Sequence, residues 1–461
     1  MVQRIAPGIC EACMSREIAF DLIYRVEKDD AYANLLLPEL LNKNNVDSRD
    51  AGFAQELAFG TIRNKLLYER FIELASGRKI SDIELITRIV LLLGIHQLLS
   101  MRVSDYAAIN ETVNLAKTKC SKAAVGFVNA VLRKLNSKTM EEWTREATEK
   151  LTPQDTLALQ TSHPAWIAKS LKLALDSRNL GDTHSELLEC HQKPAKVSLV
   201  ALPGLCEVSS LRRVDSATNP SPIGAEIQGN PSQIEEVKNG FARVQDQGSQ
   251  LVALALTSFT LEIEDRIWLD MCAGPGGKAA LLASQASLLG LRLECNELLN
   301  HRSKLVSEAL SKFKNVVVTT GDGRAMHEKG ARFTRILLDA PCTGLGSLRR
   351  RPEARWRKTP NDLTDLVLLQ RQLLEAAWKS LVPGGVLAYV TCSPHLSETT
   401  AQISWFESKF TEEFELVNTN TLLNAINPEL GLDERFSTTQ LWPHLNNTDA
   451  MFLAIFKKTL D

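Results

Sequence analysis

Two cysteines in this sequence stand where a nucleophile would be useful. Cys342 follows the apolar run RILLDA (335–340) in the string Asp339-Ala340-Pro341-Cys342-Thr343-Gly344, and Cys392 closes VLAYVTC (386–392) ahead of Ser393-Pro394. Free cysteine is more often a small buried apolar residue than a reactive one. Two at corresponding run ends, each beside proline or serine, shift that balance. Thiols so placed suit covalent catalysis, which splits one hard step into easier ones. Carbon 5 of cytosine is a poor nucleophile; a thiolate added at carbon 6 makes it electron-rich enough to take a methyl group from S-adenosylmethionine. The attacked base must be unpaired or flipped out to be reached. Asp339, near the ring nitrogen and amine, would supply hydrogen bonds or a proton to the charged ring.

A second constellation suits a nucleoside cofactor. The run IWLD (267–270) leads into Met271-Cys272-Ala273-Gly274-Pro275-Gly276-Gly277-Lys278. Glycines at a strand-to-helix turn let the backbone approach a ligand closely, and an acid about twenty residues later accepts from ribose hydroxyls. Glu297 stands 21 residues after Gly276, and Arg302 follows at a helix start. Gly274-Pro275-Gly276 is not G-x-G-x-x-G, and the proline stiffens the turn, so a nicotinamide cofactor loses ground. Asp322, within Gly321-Asp322-Gly323-Arg324, is a candidate acceptor for an adenine amine. The bland alternatives are a turn-forming aspartate at 322 and a solvated helix-start acid at 297.

These residues need a scaffold that brings run ends together. From about Phe241, apolar runs (267–270, 291–295, 316–320, 335–340 and 386–392) alternate with helical patterns (277–286, 301–313, 363–381 and 397–410). That alternation predicts a doubly wound, mostly parallel sheet with its ligands at the carboxyl ends of the strands. FELVN (414–418) and MFLAIFKK (451–458) are expected as an antiparallel edge hairpin. Residues 151–240 read as a small α+β module, with a helix at 163–175 and strands at 197–202 and 225–229. Residues 14–150 carry helical periodicity and no strand signal, which predicts an all-α domain of five or more helices. His96 lies in an apolar helix there and reads as a packed core histidine.

The motifs QDQGSQ (245–250), CAGPGGK (272–278), GDGR (321–324), LLDAPCTGLGSLRRRPEARWR (337–357) and YVTCSPHLSETTAQI (389–403) resemble the Sun-type family of RNA cytosine-5 methyltransferases. AINETVNLAK (108–117) and GFVNAVLRKL (126–135) resemble the NusB-like RNA-binding domain. Together the resemblance spans nearly the whole chain. It implies a NusB-like bundle (14–150), a small α+β linker or RNA-binding-like module (151–240) and a class I, Rossmann-like methyltransferase domain (241–461). It implies that Cys392 is the nucleophile and that Cys342 helps release product. It also implies that the 272–278 loop, Glu297, Asp322 and Asp339 hold S-adenosylmethionine, that Lys278 reaches the reacting groups, and that the substrate is RNA, 16S ribosomal RNA first. The sequence departs from the family in two places. Glu297 replaces the usual aspartate, and Glu398-Thr399 stands for the usual Glu-Asn, which leaves the role of Glu398 open.

Composition sets the outer bounds. The 461 residues are 44% hydrophobic and 23% charged with a net charge of −2, which fits a globular chain of two or three domains. Neither a secretory signal nor a membrane-length apolar run stands out, so the cytoplasm and a monomer without membrane or DNA partners are expected. The nine cysteines are scattered. Cys10 and Cys13 form a lone C-x-x-C without the further ligands a zinc site needs, so no metal is expected. Met14 follows, and residues 1–13 read as an extension or a misassigned start. Thirteen Lys and Arg face six Asp and Glu between Arg63 and Lys138. A second basic cluster, from Arg349 to Lys358, would suit an RNA backbone, while Trp356 reads as core. Three other readings compete: a cytosine-5 methyltransferase of another RNA, an enzyme in which the Pro-Cys residue Cys342 attacks, as in DNA cytosine-5 methyltransferases, and a non-catalytic RNA-binding assembly protein.

Overall fold

The computed structural model describes residues 11–211 and 219–460. The Cys10–Cys13 pair falls outside them, as regards Cys10 and the Cys13 side chain. The chain divides into two compact units, one of residues 1–169, 184–193 and 348–357, the other of 170–183, 194–347 and 358–461.

The first unit is helical. Its first helix, Glu11–Asp29, begins three residues before Met14. Helix Lys122–Leu135 shows why these segments coil: Ser121 caps it through the Ala124 amide, and Val128, Val131, Leu132 and Leu135 fall on one buried face. Thr139 and Glu142 form a reciprocal capping box at the start of Met140–Thr148. Gly77, left-handed at φ 69°, ends helix Lys65–Ser76. His96 is buried, with Tyr68 Oη 2.9 Å from its Nδ1.

The basic cluster does not lie open for RNA along its length. Arg355 is 1% exposed within the helical unit. Its guanidinium donates to the carbonyls of Arg63 (2.9 Å), Ser162 (3.1 Å) and His191 (2.9 Å). These carbonyls sit at or just past the ends of helices Ser48–Arg63, Pro153–Gln160 and His184–Cys190. Helix carboxyl ends carry unpaired carbonyls and partial negative charge, which is what allows a cation to be buried without a carboxylate. Burial, then the charge of Arg63, pulls the guanidinium down to about 9. Trp356 packs on the same core, its indole donating to Ile62 O at 3.1 Å.

The second unit carries two sheets. A small antiparallel one has the order β2-β1-β3, with β1 Val197–Ala201, β2 Gly224–Ile227 and β3 Ala242–Val244. The large one comprises β4 (Ile267–Asp270), β5 (Arg292–Glu297), β6 (Val316–Thr320), β7 (Phe333–Asp339), β8 (Leu381–Thr391), β9 (Phe414–Val417), β10 (Thr439–Gln440) and β11 (Phe452–Lys458). Its order is β10-β11-β8-β7-β4-β5-β6, with β9 also on β11. Strands β6-β5-β4-β7-β8 are parallel and β11 is antiparallel to β8. The last strands pair as expected: β9 runs antiparallel to β11 at the edge of the sheet, and β11 in turn pairs with β8, so it lies between them. Its side chains explain this: Leu453 and Ile455 join the core on one face, Phe452, Ala454 and Phe456 the core on the other. A strand apolar on both sides needs cover on both. Helices Gln247–Ser258 and Gly277–Leu288 supply one layer, Pro360–Ser380 and Thr400–Lys409 the other.

Candidate active site

Chain order fixes where the site must lie. The path runs β4, β5, β6 to one side, then returns to β7 on the other side of β4. Crevices form at such a reversal, at the carboxyl ends of the strands. The loop after β4, the loop after β7 and the loop after β8 all open there.

Glu297 ends β5, and its carboxylate accepts from the Gly274 amide at 3.1 Å and the Leu299 amide at 3.1 Å. Arg302 donates to the Gly274 carbonyl at 2.6 Å and lies 3.7 Å from Glu297. Both glycines are closely enclosed: a Cβ on Gly274 would sit 2.2 Å from Glu297 Oε2 and displace that carboxylate, and one on Gly276, strained at φ 104°, would sit 2.7 Å from Ala309 Cβ. Asn296, which the sequence reading passed over, donates to the carbonyls of Met271 and Gly321 and so stitches the loop after β4 to the loop after β6. Asp322 caps the short helix Gly323–Lys329, and its half-exposed carboxylate is held low by Arg324 at 2.6 Å. Cys272 is packed against the core, where burial, then Asp270, Asp339 and Glu297 at the neighbouring strand ends, pushes its thiol far up. These are the residues available to an adenosyl cofactor. Their fit rests on the side-chain-free backbone at Gly274, the open amides at the start of helix Gly277–Leu288 and the acid at the end of β5.

Lys278 and Asp339 meet at 2.8 Å between the ends of β4 and β7. Burial works against the Lys278 ammonium, but Asp339, Cys392 and Asp270 together hold its proton more firmly than usual. Asp270 is 1% exposed, and its Oδ1 has no hydrogen-bond partner among the described residues. Burial first, then the neighbouring Asp339, raises it to about 8.

The two thiols come together. Asp339 and Val390 share a register on β7 and β8, and Cys342 Sγ lies 3.4 Å from Cys392 Sγ. The hydrogen bond to Cys392, then burial, holds the Cys342 proton well above the usual thiol range. Glu398 anchors the pair of loops. It is fully buried and accepts from the Thr343 amide (2.8 Å), the Thr343 hydroxyl and Gln370 Nε2 (3.1 Å). Thr343 in turn lies 3.0 Å from the Ser393 hydroxyl. The Gly346 amide donates to Cys392 O at 2.9 Å, and a Cβ there would strike Ala450 O at 2.1 Å. Asp246 of the QDQGSQ segment joins in, accepting from Gly248 and from Asp449, next to Ala450. No sequence pattern marked Glu398, Gln370 or Gly346 as partners, because each acts across 28 to 104 residues of chain.

A doubly wound sheet with a glycine turn after its first strand, an acid after its second and an antiparallel strand beside β8 defines a class I methyltransferase domain. The comparisons agree. Residues 258–457 match the family model for the 16S rRNA methyltransferase RsmB/F, and residues 14–137 match the NusB family. The chain is 39% identical to the putative methyltransferase Rv1407 of Mycobacterium tuberculosis, over 96% of each chain. It is 30% identical to the ribosomal RNA small subunit methyltransferase B of Pasteurella multocida, over 85% of this chain and 86% of that one. The crystal structure of PH0851 has the same fold, at TM-score 0.77 and 20% identity, over 98% of this chain and 99% of that one. The chain belongs to the RsmB/F family of RNA methyltransferases and carries a NusB-family domain; membership implies S-adenosylmethionine as methyl donor. Among the described residues no helix is long and apolar enough to cross a membrane, and no cluster could hold a metal ion.

Proposed function

We propose that this enzyme methylates carbon 5 of a cytosine in 16S ribosomal RNA, in the cytoplasm, with Cys392 as nucleophile. The observation that carries the reading is the pair of thiols 3.4 Å apart beside the Lys278–Asp339 ion pair. The two sulfurs are not equivalent. Cys342 holds its proton well above the usual thiol range, with its sulfur 3.4 Å from that of Cys392. The charge of Cys392 helps hold the Lys278 proton, and the same attraction favours a thiolate at Cys392.

The Cys392 thiolate adds to carbon 6 of the flipped-out ring, Asp339 accepts a hydrogen bond from the ring amine, and the Lys278 ammonium paired with it offsets the negative charge that develops on the ring. When bound, S-adenosylmethionine supplies the electrophilic methyl group that the electron-rich carbon 5 accepts. Water takes the carbon 5 proton, the electrons of that bond form the carbon 5–carbon 6 double bond and expel the Cys392 thiolate, and the Cys342 thiol beside it assists the departing sulfur as a hydrogen-bond partner. Glu398 and Gly346 keep the two loops at bonding distance. The 272–278 loop, Glu297, Arg302 and Asp322 serve the adenosyl group. Residues 14–150 and 151–240 serve RNA binding, and the chain acts as a monomer.

The test is label transfer from S-adenosylmethionine to unmethylated 16S rRNA transcript or to small-subunit particles, followed by nucleoside analysis. All label is expected in 5-methylcytidine. Label in another nucleoside, or in none with either substrate, would overturn the reading.

A further inference from the structure

Away from the thiols, the methyltransferase unit has a second concave site. A cavity of about 350 Å³ is walled by the loop after helix Ala165–Asp176, by helix Thr400–Lys409 and by the segment 435–438. That is room for one nucleotide-sized group. Its chemistry is that of an anion site. Arg178 spends two donors on Thr438, at 2.8 Å to the carbonyl and 2.7 Å to the hydroxyl, and its guanidinium stacks 4.8 Å from the centre of the Phe436 ring. No carboxylate pairs with it among the described residues, and burial pulls it to about 10. The hydroxyls of Thr400, Ser404 and Ser437 line the same wall and make no hydrogen bond within the described chain. Arg435, 81% exposed, stands at the rim beside Asp433. Ile403 gives the wall an apolar patch. A cation already fixed by two hydrogen bonds, with unused hydroxyls around it and no acid in the lining, is preorganised for a phosphate oxygen.

The sheet gives the distance to the chemistry. Gln440 pairs with Phe452 and Phe452 with Thr391, so the 438–440 segment lies two strands from β8. At strand spacing and rise, Thr438 is roughly 14 Å from Cys392. A single RNA strand spans that in a few nucleotides.

We propose that this cavity binds a phosphate-bearing nucleotide unit, supplied by the substrate RNA a few nucleotides from the target base. The inference rests on the proposed RNA methylation, and its test separates the two. In the full-length protein, Ser404→Glu places a carboxylate in the cavity wall, and Ser404→Gln places an uncharged group of the same size there. With 16S rRNA transcript, Ser404→Glu is expected to raise Kd roughly tenfold and to lessen the salt slope of binding by about one ion, while S-adenosylmethionine affinity holds. Ser404→Gln should bind RNA close to wild type. Cytidine monophosphate is the second probe. Binding of it to the wild type and not to Ser404→Glu, with RNA affinity unchanged in both, would assign the cavity to free nucleotides. Unchanged binding of both probes by Ser404→Glu, in a preparation whose wild type methylates RNA, would overturn the proposal and leave the methylation reading intact.

Discussion

At the scale of single residues, the site is governed by which group keeps a proton. Asp270 is the sharpest case: a buried carboxyl with one oxygen lacking a hydrogen-bond partner among the described residues, raised to about 8 from its ordinary 3.8. Because the folded pKa is the higher one, folding takes up a proton between those values. The stability this carries is complete below the unfolded pKa and is lost as pH climbs through about 8. Asp270→Asn cannot ionise. Its unfolding free energy is therefore expected to fall less between about pH 5 and pH 8 than that of the wild type, measured by urea denaturation in matched buffers. Equal slopes would mean that folding takes up no proton at Asp270 and that the folded carboxyl is ionised across that window. Cys342 and Cys392 were both legible as candidates, since each closes an apolar run. Which of them yields its proton was not, because that depends on Lys278, 114 residues before Cys392.

At the scale of elements, the loop after β4 is a backbone surface held in shape by side chains from elsewhere. Gly274 lies against Glu297, with no room for a Cβ. Gly274→Val is expected to push Glu297 and Arg302 aside and weaken S-adenosylmethionine binding at least tenfold by titration calorimetry, with the fold retained by circular dichroism. An unchanged Kd would remove the loop from the cofactor site. The turn, Glu297 and the strand ends were readable because β4, β6 and β8 each pass abruptly from apolar run to polar residue. The antiparallel pairing of β9 with β11 was readable too, whereas β10 was not, since a strand of two residues carries no pattern in the sequence.

At the scale of the whole molecule, charge patterns in the sequence mislead where helix ends converge. The arginines after Cys342 read as an RNA-facing cluster, yet Arg355 is spent on carbonyls at three helix ends within the helical unit. Three dispersed carbonyls leave no mark in a sequence. Arg355→Met would leave them buried without a donor, at a cost of about 3 kcal/mol. Urea denaturation should show that loss; a change under about 0.5 kcal/mol would show that water or a neighbour replaces the guanidinium. The helical periodicity of residues 14–150 and the alternation after Phe241 were, by contrast, enough to divide the chain into a helical part and a doubly wound one, since each period reports which face is buried.

The most direct test concerns the sulfur that bonds to the base. Cys342→Ala and Cys392→Ala should each be incubated with 16S rRNA transcript and S-adenosylmethionine, then resolved under denaturing conditions, with the cross-linked peptide located by mass spectrometry. Cys342→Ala should accumulate a protein–RNA adduct through Cys392, and Cys392→Ala should form none and transfer no methyl group. An adduct through Cys342 in the Cys392→Ala protein, or methyl transfer by that variant, would contradict the assignment of Cys392 as nucleophile.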